Sequence, residues 1–180
     1  MANRVIPIVG LAPAGGASAV SALPTDDGGI RLSAVPPLSL YVHFPWCVRK
    51  CPYCDFNSHE AREAPDFEAY VDALIRDLQG ALPMVWGRPV VSVFFGGGTP
   101  SLVPIAAFSR LMDSLRTLLN LQPGLEVTLE ANPGTAEEAR FAGYAAAGVN
   151  RISLGVQSFD DAMLARLGRI HGGDDSRRAV

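Results

Sequence analysis

The chain has 180 residues, of which 48% are hydrophobic and 18% charged, a composition typical of a globular rather than a disordered protein. Its formal net charge is −3 and its basic residues are scattered, so we expect no nucleic-acid partner. No apolar run approaches the roughly 18 residues of a membrane span, so we expect no membrane span either.

Residues 1–37 differ in composition from the rest of the chain. This segment is rich in Ala, Gly, Ser and Pro and carries only a weak apolar patch at residues 5–11. Pro7 and Pro13 interrupt that patch, which argues against a cleaved secretory signal. We therefore predict a flexible low-complexity extension at 1–37, followed at 38–180 by the N-terminal part of a folded domain.

From residue 38 onward, apolar strand patterns alternate with helical patterns. Strands are predicted at 38–44, 90–95, 125–131 and 151–157, and helices at about 67–82, 105–119, 135–147 and 160–167. Pro83 is expected to end the first helix. The second strand is apolar throughout, which is typical of a strand that is buried on both faces of a parallel sheet.

Four strand–helix units in tandem predict an α/β fold with a parallel sheet, because parallel strands need crossover helices. Open doubly wound sheets and β/α barrels both fit this order. The residues most suited to chemistry all fall at the carboxyl ends of successive strands, where a barrel builds its active site. They are Cys47–Cys54, Gly96–Pro100, Glu130–Asn132 and Gln157. We therefore predict a partial (β/α) barrel, truncated after about four β/α units, and expect the chain to be part of a longer one.

The only three cysteines of the chain form the pattern Cys47-x-x-x-Cys51-x-x-Cys54. Clustered thiolates favour zinc or an iron–sulfur cluster, and they indicate a reducing, cytoplasmic compartment. Structural zinc would need a fourth ligand such as His43 or His59. A four-iron cluster held by three thiolates leaves one iron open to a reactive ligand. Both readings stay open on the cysteines alone, and we favour the cluster.

Further polar or glycine-rich positions end the other three strands. Residues 96–101 read Gly-Gly-Gly-Thr-Pro-Ser, which fits neither a dinucleotide fingerprint nor a phosphate-binding P-loop. Consecutive glycines allow a backbone to approach a ligand closely, although they also suit a tight turn without a ligand. Glu130 and Gln157 end the third and fourth strands, and Arg169 follows the last predicted helix. These side chains offer hydrogen bonds or charge to the amino and carboxylate groups of a ligand.

Together these motifs resemble the radical S-adenosylmethionine superfamily. Within it they resemble the branch that contains oxygen-independent coproporphyrinogen III oxidases and related haem chaperones. The matching stretches are YVHFPWC at 41–47, CPYCDFN at 51–57, FFGGGTPS at 94–101, LEANPG at 129–134 and RISLGVQSF at 151–159. They cover about residues 38–172, nearly everything after the extension.

The resemblance implies two cofactors and their ligands. Cys47, Cys51 and Cys54 would hold a [4Fe–4S] cluster, whose open iron binds the amino and carboxylate groups of S-adenosylmethionine. The positions that match S-adenosylmethionine contacts in this branch are Tyr41, Tyr53, Gly97, Gly98, Thr99, Glu130, Gln157 and Arg169.

One position separates the two sub-branches. The oxidases usually carry a further cysteine two positions after the third cluster ligand, whereas this chain has Phe56 there. The resemblance therefore implies a haem chaperone, with haem as its cargo and acceptor proteins such as respiratory cytochromes as its partners. The alternatives are an oxygen-independent oxidase that converts coproporphyrinogen III to protoporphyrinogen IX, and a structural zinc-binding module.

Overall fold

The computed structural model describes residues 34–180, apart from the side chains of 135–139. Most of the predicted extension, residues 1–33, lies outside the described residues, so its flexibility stays a prediction. The described end of it, residues 34–37, is exposed and precedes the first strand directly.

The described chain alternates strands and helices in the predicted order. The strands are β1 Leu38–Phe44, β2 Trp46–Cys47, β3 His59–Glu60, β4 Pro89–Gly97, β5 Asn120–Ala131 and β6 Arg151–Leu154. The helices are α1 Phe67–Val85, α2 Ile105–Leu118, α3 Thr135–Ala147, α4 Asp161–Arg166 and α5 Gly173–Ala179, with a 3₁₀ turn at Pro100–Leu102. Within residues 34–180, no helix is both long and apolar enough to cross a membrane.

Four strands form one parallel sheet in the order β1-β4-β5-β6, and the short strands β2 and β3 pair separately. Each new long strand is added on the same side of the previous one. A doubly wound sheet would instead reverse direction and place later strands on the other side of the first. The parallel sheet confirms the predicted partial β/α barrel, and its strand order distinguishes this arrangement from an open doubly wound sheet.

Helices cover one face of this sheet, which we call the helix face. Helix α1 packs against α2, and α2 packs against α3. The centre of the core is a run of three buried rings, in which Phe95 of β4 lies 4.8 Å from Phe108 of α2, and Phe108 lies 5.0 Å from Tyr144 of α3. The Tyr144 hydroxyl donates to the Val103 carbonyl at 2.6 Å, so this core also fixes the loop after β4.

In the part of the chain that the structure describes, α1, α2 and α3 do not cover the other side of the sheet, which we call the open face. The prediction that β4 is buried on both faces is therefore wrong: Val93 and Phe95 are buried on the helix face, whereas Phe94 is only half-buried and Val91 is 42% exposed. In a closed barrel the open face would line the interior. Four strands do not close around it, so alternate residues of β4 stay accessible.

Two element ends also differ from the predictions. Helix α1 continues through Pro83 for only two more residues, to Val85. Proline's fixed φ suits a helix, but it lacks the N–H for the hydrogen bond to residue 79 and its ring crowds that carbonyl, so Pro83 lies in the last turn of the helix. Strand β6 ends at Leu154 instead of Gln157. After Leu154 the chain makes tight turns, and Gln157 adopts a φ of +65° that is incompatible with a strand.

Candidate functional site

The cysteine loop, residues 45–61, starts from the carboxyl end of β1. It is closed at its base by the pairing of β2 with β3, in which the His59 N–H donates to the Pro45 carbonyl at 2.7 Å and the Ala61 N–H to the Cys47 carbonyl at 2.9 Å. A turn closed by the Cys54 N–H and the Cys51 carbonyl, 3.1 Å apart, brings the second and third cysteines together. The loop is therefore a folded unit held by its own backbone.

Polar contacts inside the loop set the environment of its cysteines. The Lys50 ammonium donates to the Ser58 carbonyl at 2.7 Å and to the Phe56 carbonyl at 3.2 Å, which ties the middle of the loop to its end. Ser58 is fully buried, with its hydroxyl 3.6 Å from the sulfur of Cys54. All three cysteines are free and half-buried, and burial raises the pKa of the Cys47 thiol.

Glycines at the carboxyl end of β4 and directly after it allow the cysteine loop to lie against the sheet. The Gly98 N–H donates to the Phe44 carbonyl and the Thr99 N–H to the Trp46 carbonyl, both at 2.7 Å. A Cβ at Gly98 would lie 2.5 Å from the Trp46 carbonyl oxygen. Gly97 has a φ of +119°, and a Cβ there would lie 2.6 Å from the His43 ring. These glycines are thus required by backbone packing, whatever ligand they also contact.

A cavity of about 280 Å³ opens between the cysteine loop and the carboxyl ends of the sheet strands. It brings together the three cysteines with seven of the eight predicted S-adenosylmethionine contacts. Its lining residues from those predictions are Cys47, Cys51, Cys54, Tyr53, Gly97, Gly98, Thr99, Glu130, Gln157 and Arg169. The strand ends therefore converge on the cysteines, as the barrel prediction requires.

Tyr41, the eighth predicted contact, is not part of the cavity lining. It lies on the open face of β1, 56% exposed and stacked against Phe94 at 6.2 Å. Its hydroxyl donates to His43 Nδ1 at 2.9 Å, because His43 Nε2 already donates to the Asn57 carbonyl at 2.8 Å. Burial and the negative charge of Glu130 raise the pKa of Tyr41. Both ring nitrogens of His43 are thus engaged, so His43 offers no free nitrogen to a metal.

Glu130 presents its carboxylate at the end of β5. One carboxylate oxygen accepts a hydrogen bond from the Gly97 N–H at 3.1 Å, so β5 and β4 are tied together at the cavity. Burial raises the pKa of Glu130, and the Gly97 N–H and the nearby His43 partly oppose that rise. The other oxygen is available to accept from an ammonium or hydroxyl group.

Arg169 and Asn132 form a network that the sequence analysis missed. Arg169 Nη2 donates to Asn132 Oδ1 at 2.5 Å and to the Gly155 carbonyl at 2.7 Å. Arg169 Nη1 lies 3.4 Å from the sulfur of Cys51, and the Asn132 amide nitrogen donates to the Thr99 hydroxyl at 3.1 Å. The sequence Asn-Pro-Gly indicated only a turn, and no feature of it indicated that Asn132 would join two predicted ligand contacts.

Gln157 is the only non-glycine residue with a positive φ among residues 34–180. Such a conformation is uncommon for a non-glycine residue and is found disproportionately at functional sites. Gln157 is exposed and lines the cavity next to the end of β6. Its backbone thus directs an amide side chain, able to donate and accept, to the cavity.

The donor set of this cavity fits an iron–sulfur cluster. Three thiols with no disulfide between them line one space, which a cationic side chain also borders. Thiolates are the protein ligands of such clusters, so the residues present fit the predicted group.

Comparisons with known proteins agree with this geometry. The profile of the Radical SAM superfamily matches residues 41–180. Heme chaperone HemW of Escherichia coli is 53% identical over 146 residues, which cover 81% of this chain and 39% of that protein. HemW of Haemophilus influenzae is 47% identical over 150 residues, with the same two shares. The mitochondrial radical S-adenosyl methionine domain-containing protein 1 of Bos taurus is 42% identical over 160 residues, 87% of this chain and 36% of that protein.

A solved structure shares the fold as well. The coproporphyrinogen III oxidase HemN of Escherichia coli, described as a radical SAM enzyme, superposes with a TM-score of 0.70 at 32% identity. The match covers 79% of this chain and 35% of that one. The chain thus spans about two fifths of the length of the HemW proteins it matches. By its motifs, its sheet and the match over residues 41–180, the chain belongs to the radical SAM superfamily.

Proposed function

We propose that this chain is the cofactor-binding part of a haem chaperone, which binds haem and delivers it to acceptor proteins such as respiratory cytochromes. In this proposal Cys47, Cys51 and Cys54 hold a [4Fe–4S] cluster, and S-adenosylmethionine binds beside it. The observation that carries the proposal is the convergence of all three cysteines and seven predicted cofactor contacts on one cavity. The 53% identity to a protein named heme chaperone HemW supports haem as the cargo.

The residues of the cavity divide into holding and orienting roles. The cysteine loop presents the thiolates, and its backbone pairing with Gly98 and Thr99 fixes it against the sheet. Glu130 is suited to accept from the amino group of S-adenosylmethionine, and Gln157 to contact its polar groups. A cluster held by the three cysteines would supply one electron to the sulfonium of S-adenosylmethionine, while the protein would contribute binding, orientation and exclusion of water.

The proposal places the protein in the cytoplasm, because free cysteines in a cluster site need a reducing compartment. Phe56 supports the chaperone over the oxidase. It stands where the oxidases usually carry a further cysteine, and in this chain it is 63% exposed at the edge of the cavity. An exposed aromatic side chain there offers an apolar surface to a porphyrin, but no thiolate.

The first test asks which metal the chain binds. The chain is reconstituted anaerobically with iron and sulfide, and its iron, sulfide and zinc contents are measured. We expect about four irons and four sulfides per chain, in keeping with a four-iron cluster, and loss of both in Cys51→Ser. Zinc without iron or sulfide would overturn the proposal in favour of a structural zinc module. Ser114→Ala, a substitution on α2 away from the cavity, serves as the control that keeps its cluster.

The second test separates the chaperone from the oxidase, and it uses the complete gene product that carries this chain. Haem is titrated against the reconstituted protein by absorbance, and its transfer to an apo-cytochrome is followed. In parallel the reduced protein receives S-adenosylmethionine and coproporphyrinogen III, with a known oxidase as positive control. We expect haem binding and transfer without protoporphyrinogen. Turnover would favour the oxidase, which the structural match to HemN makes the second candidate.

A further inference from the structure

We propose that Arg169 adjusts the reduction potential of the cluster by donating a hydrogen bond to the Cys51 thiolate, and that Asn132 is the residue that positions it. The inference rests on the proposed function, since it requires the three cysteines to hold the cluster. It adds a role to Arg169 that is distinct from its predicted contact with S-adenosylmethionine. The observation behind it is the 3.4 Å separation of Arg169 Nη1 and the sulfur of Cys51.

The guanidinium is held in this direction by its other donors. Nη2 carries two hydrogens, and the structure uses both, one toward Asn132 Oδ1 at 2.5 Å and one toward the Gly155 carbonyl at 2.7 Å. A guanidinium binds a carboxylate with two parallel hydrogen bonds either through its Nη1 and Nη2 edge or through its Nε and Nη2 edge. Both arrangements use one Nη2 hydrogen. Arg169 therefore cannot clamp a carboxylate in that way without releasing Asn132 or Gly155.

The other guanidinium nitrogens differ in their surroundings. Nη1 faces Cys51, while Nε is buried and has no hydrogen-bond partner among the described residues. Nη1 carries two hydrogens and the contact to Cys51 uses one of them. Because Arg169 lines the cavity, a single hydrogen bond from the other Nη1 hydrogen to S-adenosylmethionine is compatible with the contact to the thiolate.

Asn132 holds Arg169 through Nη2, a different nitrogen from the one that faces Cys51. Its amide oxygen accepts from Arg169 Nη2, and its amide nitrogen donates to the Thr99 hydroxyl at 3.1 Å. Thr99 is itself anchored, because its N–H donates to the Trp46 carbonyl in the cysteine loop. Arg169 lies 118 residues after Cys51 in the sequence. Asn132 connects it, through Thr99, to the backbone of the cysteine loop.

The effect on the potential follows from charge. When one electron enters the cluster from a low-potential donor, the cluster becomes more negative by one unit and no proton is required. A fixed positive charge and an N–H···S hydrogen bond stabilise the more negative state more than the oxidised one, so they raise the potential. The half-buried position of Cys51 limits the screening of this interaction by water.

The test is a redox titration of the reconstituted chain, followed by the electron paramagnetic resonance signal of the reduced cluster. We expect Arg169→Met to lower the equilibrium constant for reduction at least tenfold, which is about 59 mV for one electron. Arg169→Lys keeps the charge and should lower this equilibrium constant less. Asn132→Ala should also lower the equilibrium constant, because the guanidinium loses the hydrogen bond that holds it. Arg151→Met, which removes the same charge from an exposed residue paired with Glu126, should leave it unchanged.

The outcomes separate this inference from the proposed function. An unaltered chain that binds no iron and sulfide overturns the proposed function, and the inference with it. Loaded Arg169→Met with the potential of the unaltered chain overturns only the inference. If Arg169→Met binds no cluster, the test rests on Asn132→Ala and Arg169→Lys. Unchanged reduction potentials in both of these variants overturn the inference. If all three fail to load while Arg151→Met loads, Arg169 serves to hold the cluster and the proposed tuning role is wrong.

Discussion

The two faces of the sheet are built from alternate residues of the same strands, yet they differ in almost every property. On the helix face, Val42, Phe95 and Leu129 lie side by side in register and all are buried. One residue earlier on each strand, the open face carries Tyr41, Phe94 and Thr128, of which Tyr41 is 56% exposed, Phe94 half-buried and Thr128 buried. A period of two along each strand thus separates an apolar core from a surface that continues to the cavity.

The difference between the two faces separates the residues that stabilise the fold from those that we expect to bind ligands. The helix face buries its side chains against α1, α2 and α3, and it holds the sheet together through apolar packing. The open face has polar neighbours such as Glu126 and Arg151, whose side chains form an exposed ion pair. We therefore expect substitutions on the helix face to change the free energy of unfolding, and substitutions at the open face and cavity to change ligand binding.

The largest effect is expected from a pair of adjacent phenylalanines on opposite faces. Phe95→Ala removes a ring that is fully buried against Phe108, and it should lower the free energy of unfolding by about 3–5 kcal/mol. Phe94→Ala removes the same group from the open face, where the ring is only half-buried, and should cost less than half as much. Urea unfolding of the two variants measures the difference. Equal losses would contradict the distinction between the faces.

The next effect concerns the point where the sheet meets the cysteine loop. Gly98→Ala would place a methyl group 2.5 Å from the Trp46 carbonyl oxygen, and backbone atoms there have little room to move. We expect a loss of about 1–3 kcal/mol, as for other overpacked sites, together with reduced cluster loading.

Gly80→Ala is the matched control for that substitution. Gly80 lies in α1, and a Cβ there would meet nothing within 4 Å. Alanine should therefore stabilise the helix by roughly 0.5–1 kcal/mol and leave cluster loading unchanged. Reduced loading in both variants, measured as bound iron and sulfide, would show that the loss does not come from the contact with Trp46.

Most of the fold was predictable because local patterns and topology agree. The strands and helices follow from apolar periodicity, and the parallel sheet follows from their alternation. Three predictions about these elements failed: the burial of β4 on both faces, the end of α1 at Pro83 and the end of β6 at Gln157. Continuous apolar residues in β4 suggested burial on both faces, but Phe94 is covered only if further strands close around it. Gln157 fits a strand by pattern, whereas β6 ends at Leu154, where the Val156 N–H donates to the Leu154 carbonyl in a tight turn.

The sequence predicted which residues line the site, but not the hydrogen bonds that connect them. The cysteine spacing, the strand-end positions and the resemblance to the radical S-adenosylmethionine superfamily together identified ten residues that line one cavity. Asn132 was missed because an Asn-Pro-Gly sequence is explained by a turn alone. Its hydrogen bonds to Thr99 and Arg169 join residues 33 and 37 positions away, respectively, and no local pattern indicates such contacts. Only the structure shows that Tyr41 lies outside the cavity lining.

A pH-dependent effect should arise at the border of the open face. Because burial raises the pKa of Glu130 above its ordinary value of 4.5, its ionisation is less favourable in the folded chain than in the unfolded one. Its contribution to stability is therefore fully present below the unfolded pKa and is lost as the pH rises through the folded pKa. We expect the unfolding free energy of the unaltered chain to fall relative to that of Glu130→Gln as the pH rises from about 4.5.

The measurement is urea unfolding of both chains over a series of pH values, without cofactors. Glutamine keeps an oxygen that can accept from the Gly97 N–H, so the comparison isolates the charge. A difference that grows in favour of the unaltered chain with rising pH would mean that the Gly97 N–H and His43 outweigh burial. That result would reverse the direction of the pKa shift.

The smallest effect is expected on the outer side of the helix layer, where Arg110 of α2 contacts Glu68 and Asp72 of α1 at 2.8 and 2.5 Å. All three side chains are well exposed, so water and salt screen the pairs. Arg110→Met should lower the free energy of unfolding less than any substitution above, and less still in high salt. Arg76→Met, an exposed arginine of α1 outside the ion pairs of the described residues, is the control. A loss near that of Phe95→Ala would mean that charge, rather than apolar packing, holds the helix layer.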